Sequence, residues 1–134
     1  EYQIGPKNGY IMVQIGLLFL AGGMGTLCRY GISKATISMV ATNFPLGTFI
    51  SNILSCIILA LTLVYFNGKF SDNSLAKLVI ITGFCGGFST FSTFSYETVE
   101  LLKQGNVIWA VTNILVSVLF GVALIYFLLI KDKV

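Results

Sequence analysis

The chain has 134 residues, one domain's worth, of which 56% are hydrophobic and 10% charged, with a mean hydropathy of +0.91. That balance lies far outside the soluble range and marks an integral membrane protein. The net charge of +3 is scattered, with no basic run or RNA-binding motif, so nucleic acid is not an expected partner; with no histidine, the commonest general base and metal ligand is absent.

Residues 1–10, ending Gly5-Pro6-Lys7-Asn8-Gly9-Tyr10, are polar and turn-forming and read as a tail. Residues 11–130 read as one four-helix transmembrane domain, and residues 131–134, beginning Lys131-Asp132-Lys133, as a second short tail. Segment one covers about 11–32, long enough for a hydrocarbon core of about 30 Å. Gly22, Gly23 and Gly25 give it small surfaces that let a partner helix come close. Arg29 stands near its expected end, either as a snorkelling anchor or as a guanidinium that concentrates anions at a mouth.

A loop over 33–44, carrying Lys34, leads to Pro45. Segment two, about 46–66, opens Gly47-Thr48 and places Asn52 one turn beyond Thr48, so the two share a helix face; Ser55 is a weaker member of that stripe. A buried Asn amide in lipid needs partners, from a neighbouring helix or from a polar pathway. Residues 67–74 form a polar turn with Asp72 as its only acid.

Segment three, about 75–102, holds Gly-Phe-Cys-Gly-Gly-Phe-Ser-Thr-Phe-Ser-Thr-Phe-Ser-Tyr-Glu over residues 83–97. Paired glycines each lower helix propensity by about 1 kcal/mol, and the hydroxyls of Ser89 and Thr90 offer the backbone other partners. The sequence therefore predicts an interruption over 86–89, near the bilayer midplane. Freed N–H and C=O groups at that depth must face protein, water or an ion. Glu97 and Glu100 read as interfacial or capping groups beside Lys103.

After a turn at Gln104-Gly105-Asn106, segment four runs over about 107–130, with Trp109 and Tyr126 as an aromatic belt and Asn113, Ser117 and Gly121 as a stripe of polar or small residues. Cys28, Cys56 and Cys85 each fall in apolar stretches without paired spacing and read as buried small hydrophobes, not as a disulfide framework or zinc site.

The Gly-Gly pair followed by Ser89-Thr90-Phe91-Ser92-Thr93-Phe94 resembles the third-helix signature of the Fluc (CrcB) fluoride channels. Gly47-Thr48-x-x-x-Asn52 resembles the start of that family's second helix, and Gly25, Arg29 and Tyr30 its first. The resemblance implies passive fluoride export that relieves toxicity, by an antiparallel, dual-topology homodimer in a prokaryotic inner (plasma) membrane. It implies Asn52, Phe91 and Phe94 as pore-lining residues. It also implies a central structural Na⁺ held by the main-chain carbonyls of Gly86 and Ser89, where Ser89 replaces the more usual Thr.

The residues suit such an anion. Fluoride is strongly hydrated, so a pore must replace its lost water with donors, for which Thr48, Asn52, Ser92, Thr93, Asn113 and Ser117 are candidates. A ring edge carries positive charge, and Phe91 and Phe94, three apart, share a helical face. Arg29 would act in a vestibule. No Lys or Arg falls in the middle of a span, which suits conduction better than tight binding.

Orientation is weakly specified. Lys7, Lys69, Lys77, Lys131 and Lys133 fall on one side against Arg29, Lys34 and Lys103 on the other, so insertion both ways is feasible. A small multidrug-resistance-type exporter is the alternative, but proton coupling needs an ionisable group inside the membrane, and segment one has no acid. An enzyme is not expected, since no nucleophile–base pair is visible.

Overall fold

The computed structural model describes residues 7–67 and 75–131, and every described element is a helix. The tail residues 1–6 and 132–134 lie outside the described residues, as do residues 68–74 of the expected turn with Asp72, and Lys69 and Lys133 of the orientation count.

Helix α1 spans Lys7–Met39. It starts inside the expected tail and replaces most of the expected 33–44 loop, leaving only residues 40–45 as the connection. Hydroxyls extend it: Thr36 Oγ1 donates to Ile32 O at 2.9 Å and Ser38 Oγ to Ala35 O at 2.8 Å, so polar residues that suggested a loop are satisfied by the helix's own carbonyls. At 1.5 Å per residue it is about 50 Å long and overshoots the hydrocarbon core.

Helix α2 spans Leu46–Phe66 and starts directly after Pro45, whose φ of −76° suits a helix entry and whose carbonyl accepts from Phe49 N–H at 3.0 Å. The third span divides. Its first half, α3, covers residues 75–88 and is π-helical over Leu78–Cys85. Its second half, α4, covers Phe91–Lys103. Helix α5 spans Val107–Lys131. The α4–α5 turn is a helix stop in which Gly105 takes φ +77° and Asn106 N–H reaches back to Leu101 O at 2.8 Å. Four spans are long and apolar enough to cross a membrane: 9–39, Leu46–Phe66, 75–103 and Val107–Lys131.

Helix α1 lies along α3, α2 packs on α5, and α4 also rests on α5. The α1–α3 seam is a backbone contact. A Cβ on Gly87 would overlap the Gly22 carbonyl oxygen, and one on Gly25 would overlap Phe84 O. The interior is half polar, with Thr48, Ser51, Ser55, Thr62, Thr98 and Asn113 buried beside Ala60, Phe66, Cys85, Phe88, Leu101 and Ala110. Large apolar side chains such as Phe19, Leu27, Ile108 and Phe127 point outward. With lipid as solvent that arrangement is the stable one, because small and polar groups supply the helix contacts. Cys28 departs from expectation: it is exposed, whereas Cys85 is buried and Cys56 intermediate.

Candidate functional site

The interruption falls at Ser89 and Thr90, later than the glycine pair suggested. Gly86 is helical (φ −62°, ψ −36°), while Ser89 (φ −85°, ψ 161°) and Thr90 (φ −154°, ψ 121°) are extended. The physical reason is a division of labour. The smallness of Gly87 serves contact with α1, while hydroxyls and an amide provide the partners that let the backbone leave the helix. Thr90 becomes the N-cap of α4, its Oγ1 accepting from Thr93 N–H at 3.2 Å. Ser89 Oγ donates to Cys85 O at 2.8 Å, and Ser55 Oγ from α2 donates to the same carbonyl at 3.2 Å.

Asn52 closes the remaining gap. Thr90 N–H donates to Asn52 Oδ1 at 2.7 Å, and Asn52 Nδ2 donates to Thr90 O at 3.3 Å. One amide thus satisfies both backbone groups of the extended residue. An amide nitrogen carries two donors, and only one is engaged by Thr90.

The backbone carbonyls over 86–89 lose their helical donors as a direct result. In an unbroken helix Thr90 N–H would go to Gly86 O and Thr93 N–H to Ser89 O; here they go to Asn52 Oδ1 and Thr90 Oγ1. Gly86 and Ser89, the residues named above for a cation, are therefore among the four residues, 86 to 89, whose carbonyls the break deprives of a helical donor; that of Gly87 accepts from Arg29 Nε instead. Neutral main-chain oxygens are hard donors that suit an alkali cation. Among the described residues no group of three or more His, Cys, Asp or Glu could hold a metal ion.

Beside the break lies a cavity of about 250 Å³ lined by Asn52, Cys56, Ser89, Thr90, Phe91, Phe94, Ser117 and Val118. It has no charged side chain. The Phe91 and Phe94 rings sit 5.9 Å apart at 36°, tilted rather than edge to face, and Phe91 is 80% exposed. The 13-residue helix α4 begins at this cavity, so its positive dipole end lies there.

The other sequence candidates lie elsewhere. Thr48 Oγ1 donates to Glu97 Oε1 at 2.9 Å, and Thr48 is absent from the cavity wall. Ser92 and Thr93 gather around the Thr90 hydroxyl, at 3.3 and 3.1 Å. Asn113 is buried, donating to Thr98 Oγ1 at 2.9 Å and accepting from Ser117 Oγ at 3.3 Å. Arg29 stands well inside α1, not at its end, and its Nε donates to Gly87 O at 3.2 Å, a carbonyl of the last turn of α3.

Glu97 differs from its expected interfacial or capping place. It lies mid-helix in α4, tied to α2 through Thr48, with its Oε2 buried and unpartnered. The i, i+4 arithmetic on α2 placed Thr48 beside Asn52 but carried no information about which residue of another helix Thr48 would meet. Glu100 pairs with Lys103 at 2.8 Å on the surface.

A family model described as "CrcB-like protein, Camphor Resistance (CrcB)" matches residues 16–128. The chain belongs to the CrcB family. Several proteins named "Fluoride-specific ion channel FluC" are similar to this CrcB-family chain. One from Dehalococcoides mccartyi is 38% identical over 115 residues, 86% of this chain and 88% of that protein. One from the archaeon Pyrococcus abyssi is 43% identical over 112 residues, 82% of this chain and 88% of its own. A "FluC 1" from Yersinia pestis is 38% identical over 107 residues, 80% of this chain and 84% of that protein. With its four apolar spans, this CrcB protein is a multi-pass membrane protein.

Proposed function

We propose that the chain is a fluoride-selective channel of the cell's inner (plasma) membrane, passing the anion down its electrochemical gradient and so lowering cytoplasmic fluoride. The observation that carries this reading is the uncharged cavity at the break, where Asn52, Phe91, Phe94 and Ser117 converge at the N-terminus of α4. An unused Asn52 N–H, a ring edge and a helix dipole each attract an anion weakly, and weak serial attraction permits release as well as entry. Ser92 and Thr93, gathered around the Thr90 hydroxyl, extend the polar path from the cavity, whereas Thr48, Asn113 and Arg29 are held by Glu97, Thr98 and the Gly87 carbonyl and support its walls. The pathway conducts and performs no chemistry on its ion.

In this reading two copies pair antiparallel, bringing the Gly86 and Ser89 carbonyls of both chains together as an oxygen cage for one structural Na⁺. The exposed apolar faces, and the loss of helical donors at the Gly86 and Ser89 carbonyls, support it. The ion's charge would be balanced by carbonyl dipoles without an acid. The exporter reading gains no support from Glu97, which is engaged with Thr48 in the second half of the third span.

The deciding test uses purified protein in liposomes loaded with potassium fluoride and chloride, followed by ion-selective electrodes after valinomycin is added. Rapid fluoride loss with chloride retained is expected; equal release of both anions defeats the assignment. Replacing Na⁺ by a large organic cation throughout purification is expected to weaken the dimer on size exclusion.

A further inference from the structure

One hydrogen-bond chain crosses from α5 to α4 and ends at the cavity. Thr98 Oγ1 bonds Phe94 O at 2.8 Å, Asn113 Nδ2 bonds Thr98 Oγ1 at 2.9 Å, and Ser117 Oγ bonds Asn113 Oδ1 at 3.3 Å. Its direction is forced. A carbonyl has no proton, so the single hydroxyl proton of Thr98 goes to Phe94 O, and Thr98 Oγ1 can only accept from Asn113. The Asn113 amide must then turn its NH₂ to Thr98 and its oxygen to Ser117. Ser117 in turn gives its one proton to Asn113. Asn113 and Thr98 are 1% and 7% exposed, so water has little access to reverse the order.

Ser117 also lines the cavity with Asn52 and Phe94. With its proton committed to Asn113, it turns oxygen lone pairs, not a donor, toward the cavity. Sequence reasoning grouped Asn113 and Ser117 as two equivalent donors; the network makes them unequal.

We propose that Asn113 is a positioning residue that makes Ser117 a conditional donor, holding its hydroxyl proton away from the anion path until an arriving anion draws it over. The proposal rests on the fluoride-channel reading and names a residue that would set occupancy along that path. At 3.3 Å the Ser117–Asn113 bond is long for O–H···O, so its release costs little. The consequence for transport is a site that forms on arrival and relaxes on departure, keeping binding weak enough for throughput.

Two substitutions remove the constraint in different ways. Asn113→Leu deletes the acceptor and leaves the Ser117 proton always available. Thr98→Val keeps Asn113 but frees its amide to turn over and donate to Ser117, and its near-identical shape preserves packing.

In the liposome assay, initial fluoride efflux is measured against internal fluoride concentration. Both variants are expected to lower the half-saturating concentration about three- to tenfold, the equivalent of one ordinary hydrogen bond, and to lower the maximal rate. In a Ser117→Ala background neither should shift half-saturation further. Reduced maximal rates at unchanged half-saturation, or a shift that persists without the Ser117 hydroxyl, overturn the proposal while leaving the channel reading intact. A wild-type protein that releases no fluoride overturns both.

Discussion

Replacing Asn52 by Asp tests the anion path most directly, because the two side chains differ by one group. The carboxylate retains the acceptor for Thr90 N–H, the shorter of the two bonds at 2.7 Å, and turns the 3.3 Å donation to Thr90 O into an oxygen–oxygen contact. The break should therefore persist. What changes is charge: a carboxylate in contact with the pathway, about 4 Å from a passing anion, opposes it by about 4 kcal/mol at an effective dielectric of about 20. At 1.36 kcal/mol per decade that amounts to a fall of about a thousandfold in rate. Fluoride efflux from liposomes reads the rate, and a thermal melt in detergent reads the fold. Asn52→Leu provides the contrast: it strips Thr90 of both partners and is expected to cost about 1–3 kcal/mol of stability. Efflux from Asn52→Asp within tenfold of wild type, at an unchanged melting temperature, would refute the placement of Asn52 beside the ion.

Phe91→Ile and Phe94→Ile preserve apolar volume while removing ring edges, and each is expected to slow fluoride efflux at least tenfold with an unchanged size-exclusion profile; normal rates in both would reduce the rings to packing. Gly87→Ala adds a methyl that overlaps the Gly22 carbonyl oxygen, so the α1–α3 seam must open at a cost of about 1–3 kcal/mol, seen as a lower melting temperature. Gly86→Ala meets nothing within 4 Å in the chain itself and should leave the melting temperature unchanged. Arg29→Ala removes a charged donor from Gly87 O and is expected to cost about 1.5–3 kcal/mol, with Arg29→Lys recovering only part because it lacks the planar Nε donor.

The spans were legible in the sequence because twenty-odd apolar residues in a row leave few alternatives to a membrane helix. The boundaries of α2 and α5 were close for that reason. The end of α1 was not, since Thr36 and Ser38 read as loop formers yet are content inside a helix whose carbonyls take their protons. An interruption in the third span could be expected from Gly86-Gly87 and the hydroxyl run, but its position could not. Whether a glycine bends a helix or lets a neighbour in depends on what lies opposite, and Gly22 of α1 lies opposite Gly87. Likewise Asn52, Phe91, Phe94 and Ser117 were named from sequence, whereas their meeting at one cavity required three helices in register. The roles of Thr98 and Glu97 were invisible, because each is defined by a hydrogen bond to another helix.

By claiming the Thr90 amide, Asn52 prevents the third span from annealing into one rod. The diverted proton is the one that would have quenched the Gly86 carbonyl, so in the proposed channel the cation site and the anion path would both descend from a single side chain. Two ligands of opposite sign that share one such keystone are thermodynamically linked, each reporting on the other's occupancy. A sodium titration that shifts fluoride half-saturation in the wild type, and ceases to do so once Asn52 is gone, would be the signature of that shared origin.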